Sequence, residues 1–183
     1  MSIERYYIIN PHMMFMFGLR DRNAKVCTLV RELHRVFIVD RSPLEILDDS
    51  LRCIGFNLKG AMDTSKIIMG NNTMCPVMLN HIHNICVFPD RSHNHEETIW
   101  FNPNQILRTY SLRRKTQIEF RNRLILMNDS KLFSFNNKWK AAEQLSRITT
   151  ENANKQVFFI SKPPKKAGKR KRKGKIRSES TCD

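Results

Sequence analysis

One segment of the chain carries a complete set of helix-start signals. Ser42 can cap a helix, Pro43 suits the first helical position, and Glu45 completes a capping box with Ser42. Apolar residues then recur at helical spacing, at Leu44, Leu47, Leu51 and Ile54. The pattern predicts an amphipathic helix over Pro43–Cys53, and its apolar side has to be buried against other elements.

Short strand-like runs, separated by turn residues, surround this helix. Single strands are predicted over Lys25–Leu29, Val36–Val39, Lys66–Met69, Pro76–Leu79, Ile85–Phe88, Thr98–Asn102 and Val157–Ile160. Two hairpins are predicted, one from Arg5–Ile9 with Met13–Phe17 and one from Thr116–Phe120 with Arg123–Met127.

A second helix is predicted within Lys131–Ile148. Its buried stripe would consist of Phe135, Trp139, Ala142 and Leu145. The mixture of strands and helices predicts an α+β fold with a mostly antiparallel sheet and two main helices.

The composition changes at Pro163-Pro164. Beyond this point the chain is rich in Lys, Arg, Gly and Ser, and Ile176 is its one aliphatic residue. Such a segment cannot bury enough apolar surface to offset the entropy of ordering it. The sequence therefore predicts a domain over residues 1–162 and a disordered basic tail over residues 163–183.

The charge balance of the chain is strongly basic. Lys and Arg number 32 against 17 Asp and Glu, a net charge of +15, and the segment from Lys162 onward contributes +8 of it. This excess favours polyanionic partners, with nucleic acid first and an anionic membrane second. A membrane partner is disfavoured because no amphipathic aromatic face accompanies the charges.

The cysteines and the N-terminus bear on the compartment. Five cysteines without a CxxC motif do not suggest a disulfide scaffold, so a reducing compartment is expected. No signal-peptide pattern or long apolar span is visible. We therefore expect a cytoplasmic protein.

Motifs for catalysis are missing from the sequence. It contains no glycine-rich phosphate loop, no GxSxG and no HExxH, so neither an enzyme nor a cofactor is expected. Two His-x-His pairs, at His81 and His83 and at His93 and His95, leave metal binding open as an alternative. Solvent-exposed loop histidines are the favoured interpretation.

An ordered series of residues between Val36 and Phe101 resembles the family of the competence transcription factor ComK. The series is Pro43-Leu44-x-Ile46-x-Asp48-x-Ser50-x-Arg52-x-x-Gly55, then Gly60, Pro76-Val77-Met78-Leu79, Phe88-Pro89 and Trp100. The resemblance implies an oligomeric cytoplasmic activator of DNA-uptake genes that binds paired A/T-rich elements, largely from the minor groove. It also implies control by adaptor-mediated proteolysis.

The chain departs from the family pattern at several positions. Leu51 stands where the family usually has Cys, Ala61 where it usually has a basic residue, and Cys75 where it usually has Lys. Two explanations stay open. Either the phosphate contacts have moved to the tail and to Arg108–Lys115, or the chain is a divergent paralogue with altered DNA binding.

Basic residues are the candidates for contact with DNA, since Lys and Arg neutralise phosphates and Arg suits the narrow, electronegative A/T minor groove. The candidate residues are Arg52, Lys66, Arg113, Arg114, Lys115, Lys169, Arg170, Lys171, Arg172 and Lys173. For Arg113–Lys115 a solvated strand edge is an equal alternative. The alternative for the whole chain is a nonspecific nucleic-acid-binding protein, or a paralogue that modulates a true activator.

Overall fold

Two sheets and three helices make up the residues that the computed structural model describes, 2–70 and 74–154. The strands are β1 (Ile3–Glu4), β2 (Met13–Arg20), β3 (Val26–Glu32), β4 (Val36–Val39), β5 (Val77–Asn80), β6 (Ile85–Pro89), β7 (Ile99–Phe101), β8 (Ile106–Leu112), β9 (Lys115–Phe120) and β10 (Ile125–Asn128). The helices are α1 (Pro43–Arg52), α2 (Leu58–Met69) and α3 (Leu132–Asn154).

The larger sheet has seven strands in the order β1-β4-β3-β2-β7-β6-β5, and the smaller has the order β10-β9-β8. β1 runs parallel to β4, and the other pairings are antiparallel. The predicted α+β fold with a mostly antiparallel sheet is confirmed, although the described residues hold three helices rather than two.

The alternation of side chains along the strands gives the seven-stranded sheet two buried faces. On β7, Trp100 joins the cluster under α1 and α2, whereas Phe101 joins the cluster under the three-stranded sheet and α3. The second cluster is an aromatic layer, in which Phe135 of α3 packs 5.5 Å from Phe88 and 5.3 Å from Phe101 between ring centroids. The larger sheet is therefore the middle of three layers.

The predicted first helix is confirmed together with its capping box. Ser42 accepts from the Glu45 amide, and the Glu45 carboxylate accepts from the Ser42 amide at 2.7 Å. The second predicted hairpin is confirmed as β9 and β10, and the predicted helix after it is confirmed as α3.

The prediction of a strand over Lys66–Met69 is wrong, since these residues form the last turn of α2. Asn57 caps this helix by accepting from the Gly60 amide at 2.8 Å, and Gly70 ends it in the left-handed region at φ 77°. Gly60, a poor helix former, hides the helical pattern in its first turn.

The predicted hairpin of Arg5–Ile9 with Met13–Phe17 is also wrong. β1 pairs with β4 instead, and β2 pairs with β3 and β7. The Ile9 amide donates to the Ser50 hydroxyl of α1 at 3.0 Å, and the Tyr7 hydroxyl donates to the Glu32 carboxylate of β3 at 2.9 Å. Hydrogen bonds to side chains, rather than strand pairing, therefore hold this segment.

The predicted strand Val157–Ile160, the domain boundary at residue 162 and the tail 163–183 lie outside the described residues. No helix within the described ranges has the length and apolar character needed to cross a bilayer.

Candidate nucleic-acid interface

The three-stranded sheet covers the aromatic layer with one face and leaves the other open to solvent. Cross-strand pairing places Tyr110 beside Gln117 and Gln117 beside Met127 on this open side. We call it the outer sheet face, and it consists of Arg108, Tyr110, Leu112, Lys115, Gln117, Glu119, Ile125 and Met127. It combines exposed apolar side chains with cations, the mixture that nucleic-acid surfaces use.

One carboxylate of this face holds two arginines, Arg108 of β8 and Arg123 of the turn between β9 and β10. Glu119 accepts from Arg108 Nε at 2.6 Å and from Arg123 Nη1 at 3.2 Å. The hydrogen bond from Arg108 lowers the pKa of the Glu119 carboxyl, and Arg123 acts in the same direction. The Arg108 guanidinium also lies 5.6 Å from the centre of the Tyr110 ring, within cation–π range. These arginines are positioned by the protein and only partly neutralised.

The turn between β8 and β9 carries the most available charge. Leu112 pairs with Lys115, so the loop consists of Arg113 and Arg114 alone, a pair that we call the basic turn. Both side chains are exposed, and neither makes an ion pair or hydrogen bond with another described residue.

The backbone of the basic turn is strained at Arg113, which adopts φ 57°. A left-handed conformation costs a residue with a Cβ roughly 1–2 kcal/mol, and Gly or Asn would accept it more easily. An arginine at position 113 therefore does not relieve the backbone strain of the turn, and Arg123 in the next turn adopts a similar conformation at φ 70°.

Further cations gather at the end of the sheet where the basic turn lies. Lys115 Nζ lies 2.6 Å from Asp129 Oδ1, and its ammonium lowers the pKa of the Asp129 carboxyl. Thr116 Oγ1 donates to the Ser130 carbonyl at 2.7 Å, so β9 begins beside the start of α3. This contact brings Lys131 to the same end, exposed and without an ion pair to any described residue.

Arg91 and Lys138 extend this end of the molecule. Asn128 Nδ2 donates to Asp90 Oδ2 at 2.9 Å, which ties β10 to the loop that carries Arg91. Arg91 pairs with Asp90 at 3.4 Å, and Lys138 donates to the Asp90 carbonyl. Burial lowers the pKa of the Lys138 amine. Both cations are thus engaged in structure, unlike the basic turn.

The predicted residues Arg52 and Lys66 lie elsewhere. They belong to α1 and α2, which cover the opposite face of the seven-stranded sheet. Arg52 Nε lies 2.7 Å from Asp48 Oδ2, and Lys66 Nζ lies 3.5 Å from Asp63 Oδ1. The structure therefore brings Arg113, Arg114 and Lys115 together but does not join Arg52 or Lys66 to them.

The predicted tail residues Lys169–Lys173 fall outside the described ranges. Sequence reasoning did not select Lys131. Its position near Lys115 could have been inferred from the sequence. Lys131 follows the second strand of a hairpin whose first strand begins at Lys115, and the first and last residues of a hairpin lie side by side.

The histidine pairs lie in loops. His81 and His83 occupy the turn between β5 and β6, and His93 and His95 lie between β6 and β7. Within residues 2–70 and 74–154, no group of three His, Cys, Asp or Glu side chains is placed to hold a metal ion.

Comparison with known proteins identifies the family. The model of a protein family described as ComK protein matches residues 3–154, well over half of the chain. No curated protein and no solved structure matches significantly. The chain therefore belongs to the ComK family of competence-related transcription factors.

Proposed function

We propose that this protein is a DNA-binding activator of competence genes that acts in the cytoplasm as an oligomer and recognises A/T-rich duplex. The observation that carries the proposal is the basic turn. Two adjacent arginines project from a strained two-residue loop, and no described carboxylate neutralises them. A narrow A/T minor groove has an enhanced negative potential and attracts inserted arginine side chains.

The rest of the outer sheet face supports the same function. Arg108 and Arg123 are held by Glu119 toward the other end of the sheet, and Lys115 and Lys131 extend the positive surface from the basic turn toward the start of α3. Contacts to phosphates supply affinity and register, whereas the groove supplies the sequence preference. In this proposal Lys169, Arg170, Lys171, Arg172 and Lys173 add phosphate contacts that are independent of sequence.

A competition gel shift tests the proposal. The full chain is titrated onto a duplex with paired A/T tracts against G/C-rich competitor at about 150 mM salt, because affinities without a stated salt concentration cannot be compared. A preference of roughly tenfold or more, about 1.4 kcal/mol, is expected. Equal binding to both duplexes would overturn specific recognition by this chain and favour the nonspecific alternative.

A tail variant separates the two sources of affinity. Replacing all five residues 169–173 with Gln should weaken binding to both duplexes and reduce the salt dependence, while the A/T preference remains. Loss of the preference would place sequence recognition in the tail instead of in the basic turn.

A further inference from the structure

An apolar groove lies at the edge of the seven-stranded sheet where α2 meets the end of α3. It has a volume of about 290 Å³, and its apolar lining includes Ile54, Phe56, Ile68, Met78, Leu145 and Ala153. Phe56 is 55% exposed, which is unusual for a large aromatic side chain beside a sheet.

The polar lining of the groove is uncharged. It comprises Thr64, Ser65, His81, Thr149 and Asn152, with no Lys, Arg, Asp or Glu among the described residues around it. A phosphate or nucleic-acid ligand would meet no counter-charge there. The volume lies just below the range of about 300–1,000 Å³ that is typical of small-molecule pockets. The groove thus fits a few apolar side chains.

The chain itself supplies such side chains immediately afterwards. Asn152 and Ala153 are among the last residues of α3 and form one wall of the groove. The run Val157-Phe158-Phe159-Ile160, which we call the apolar segment, begins four residues after Ala153. α3 ends at Asn154, and the three extended steps from there to Val157 reach about 10 Å, enough to turn back from the helix end into the groove.

We propose that the apolar segment packs into this groove within its own chain. A tether of two residues, Lys155 and Gln156, holds the segment at an effective concentration in the millimolar range, an advantage that a separate partner lacks. Packing covers Phe56 and Ile54, and it also buries four apolar residues that would otherwise form an exposed patch.

The packing sets where the basic tail leaves the domain. α3 has 23 residues and is therefore about 34 Å long. The groove lies at its C-terminal end, and the basic turn lies near its start. The tail then starts from the end of α3 remote from the basic turn, so the two basic regions reach separate stretches of a polyanion.

Amide hydrogen exchange on the full chain tests the packing. Replacing both Phe158 and Phe159 with Ser should speed exchange of residues 145–154 by roughly tenfold, because local opening of the helix end becomes easier. The control Ile176→Ser alters the one aliphatic residue of the tail and should change nothing. Unaltered exchange of β2 and β3 shows that the variant is folded. Identical rates at residues 145–154 in all three proteins would overturn the proposal.

A groove variant tests the same contact from the other side. Thr64→Lys places a charge on the groove lining and should speed exchange of residues 157–161. Ile67→Lys adds the same charge on the same helix at a side chain that is 81% exposed and does not line the groove, so it should have no effect. Equal exchange in both variants contradicts the proposal.

Dilution distinguishes the chain's own segment from that of a second copy. Protection of residues 157–161 should stay constant over a roughly hundredfold dilution, since packing within one chain does not depend on concentration. Protection that falls on dilution would overturn the intramolecular arrangement and assign the groove to a neighbouring copy.

Discussion

The surface of α1 and α2 and the outer sheet face both carry cations, but they hold them differently. On the helices, Arg52 lies beside Asp48 and Lys66 beside Asp63. At the basic turn, Arg113 and Arg114 have no such partner among the described residues. The number of positive charges therefore does not identify a binding surface, because a neighbouring carboxylate decides whether a cation is free to meet a phosphate.

The secondary structure explains this difference. A helix brings residues three and four positions apart into contact, so a carboxylate one turn earlier neutralises Arg52 and Lys66. Lys59, the other cation of α2, has no carboxylate one turn earlier and makes no ion pair with a described residue. A two-residue loop between antiparallel strands has no such neighbour on either side. The outer sheet face offers a carboxylate only at Glu119, where Arg108 and Arg123 already occupy it.

The largest effect is expected from breaking the layer that carries the basic turn. Phe135 is fully buried between α3 and the seven-stranded sheet. Phe135→Ala should lower the free energy of unfolding by about 3–5 kcal/mol, since it removes a large core side chain and leaves a cavity. Urea unfolding followed by circular dichroism measures the change.

Phe133→Ala is the matched control, on the same helix and 79% exposed. Its effect should stay within about 0.5 kcal/mol. Equal destabilisation by both substitutions would show that the aromatic layer does not hold α3 in place.

A second, smaller effect tests the difference between the paired cations of α1 and α2 and the unpaired cations of the basic turn. Replacing Arg113 and Arg114 together with Ala should reduce affinity for A/T-rich duplex by roughly tenfold at moderate salt, about 1.4 kcal/mol. The same double replacement of Arg52 and Lys66 should reduce it by less than about twofold, because both cations are already paired. Fluorescence anisotropy over a salt series measures both.

Arg22→Ala serves as a further control, since Arg22 is an exposed cation of the β2–β3 turn. If the Arg52 and Lys66 variant lost more affinity than the Arg113 and Arg114 variant, the interface would have to be assigned to the helices.

The sequence predicted the parts of the fold whose signals are local. The capping box at Ser42 and the apolar stripe of α3 depend on neighbours within a few residues, and both predictions are confirmed. α2 was missed because Gly60 interrupts its pattern and its cap is the less obvious Asn57. β1 was missed because two residues that pair with β4 carry almost no local signal.

The candidate interface was predictable to a similar extent. Arg113–Lys115 stood out as a cluster in the sequence. Its link to Asp129 and Lys131 depends on strand pairing between residues more than ten positions apart. The ion pair of Arg52 with Asp48 could have been predicted from their spacing of four residues on a helix. This pairing distinguishes Arg52, whose charge is neutralised within the fold, from the unpaired arginines of the basic turn.

The smallest effect concerns Asp48, which gives Arg52 a structural role. Its carboxylate accepts from the Leu58 amide at 2.9 Å and from Arg52, so it links α1 to the start of α2. The hydrogen bond from the Leu58 amide lowers the pKa of Asp48, and Arg52 adds to the lowering. A carboxyl whose pKa is lowered by folding stabilises the fold at pH values above its pKa in the unfolded chain, which is about 3.9. This contribution is lost as the pH falls through the lower pKa of the folded state.

Asp48→Asn should therefore lower the Tm by roughly 2 °C at pH 7. The difference from the parent protein should shrink below about pH 4 and vanish once Asp48 is protonated in both states. Glu151→Gln, which removes an exposed carboxylate 4.0 Å from Arg147, is the control and should leave the Tm unchanged at both pH values. A difference for Asp48→Asn that persists unchanged at about pH 2.5 would mean that amide geometry, not charge, joins the helices. In that case Arg52 would be released from its structural role and would compete with the basic turn as a DNA contact.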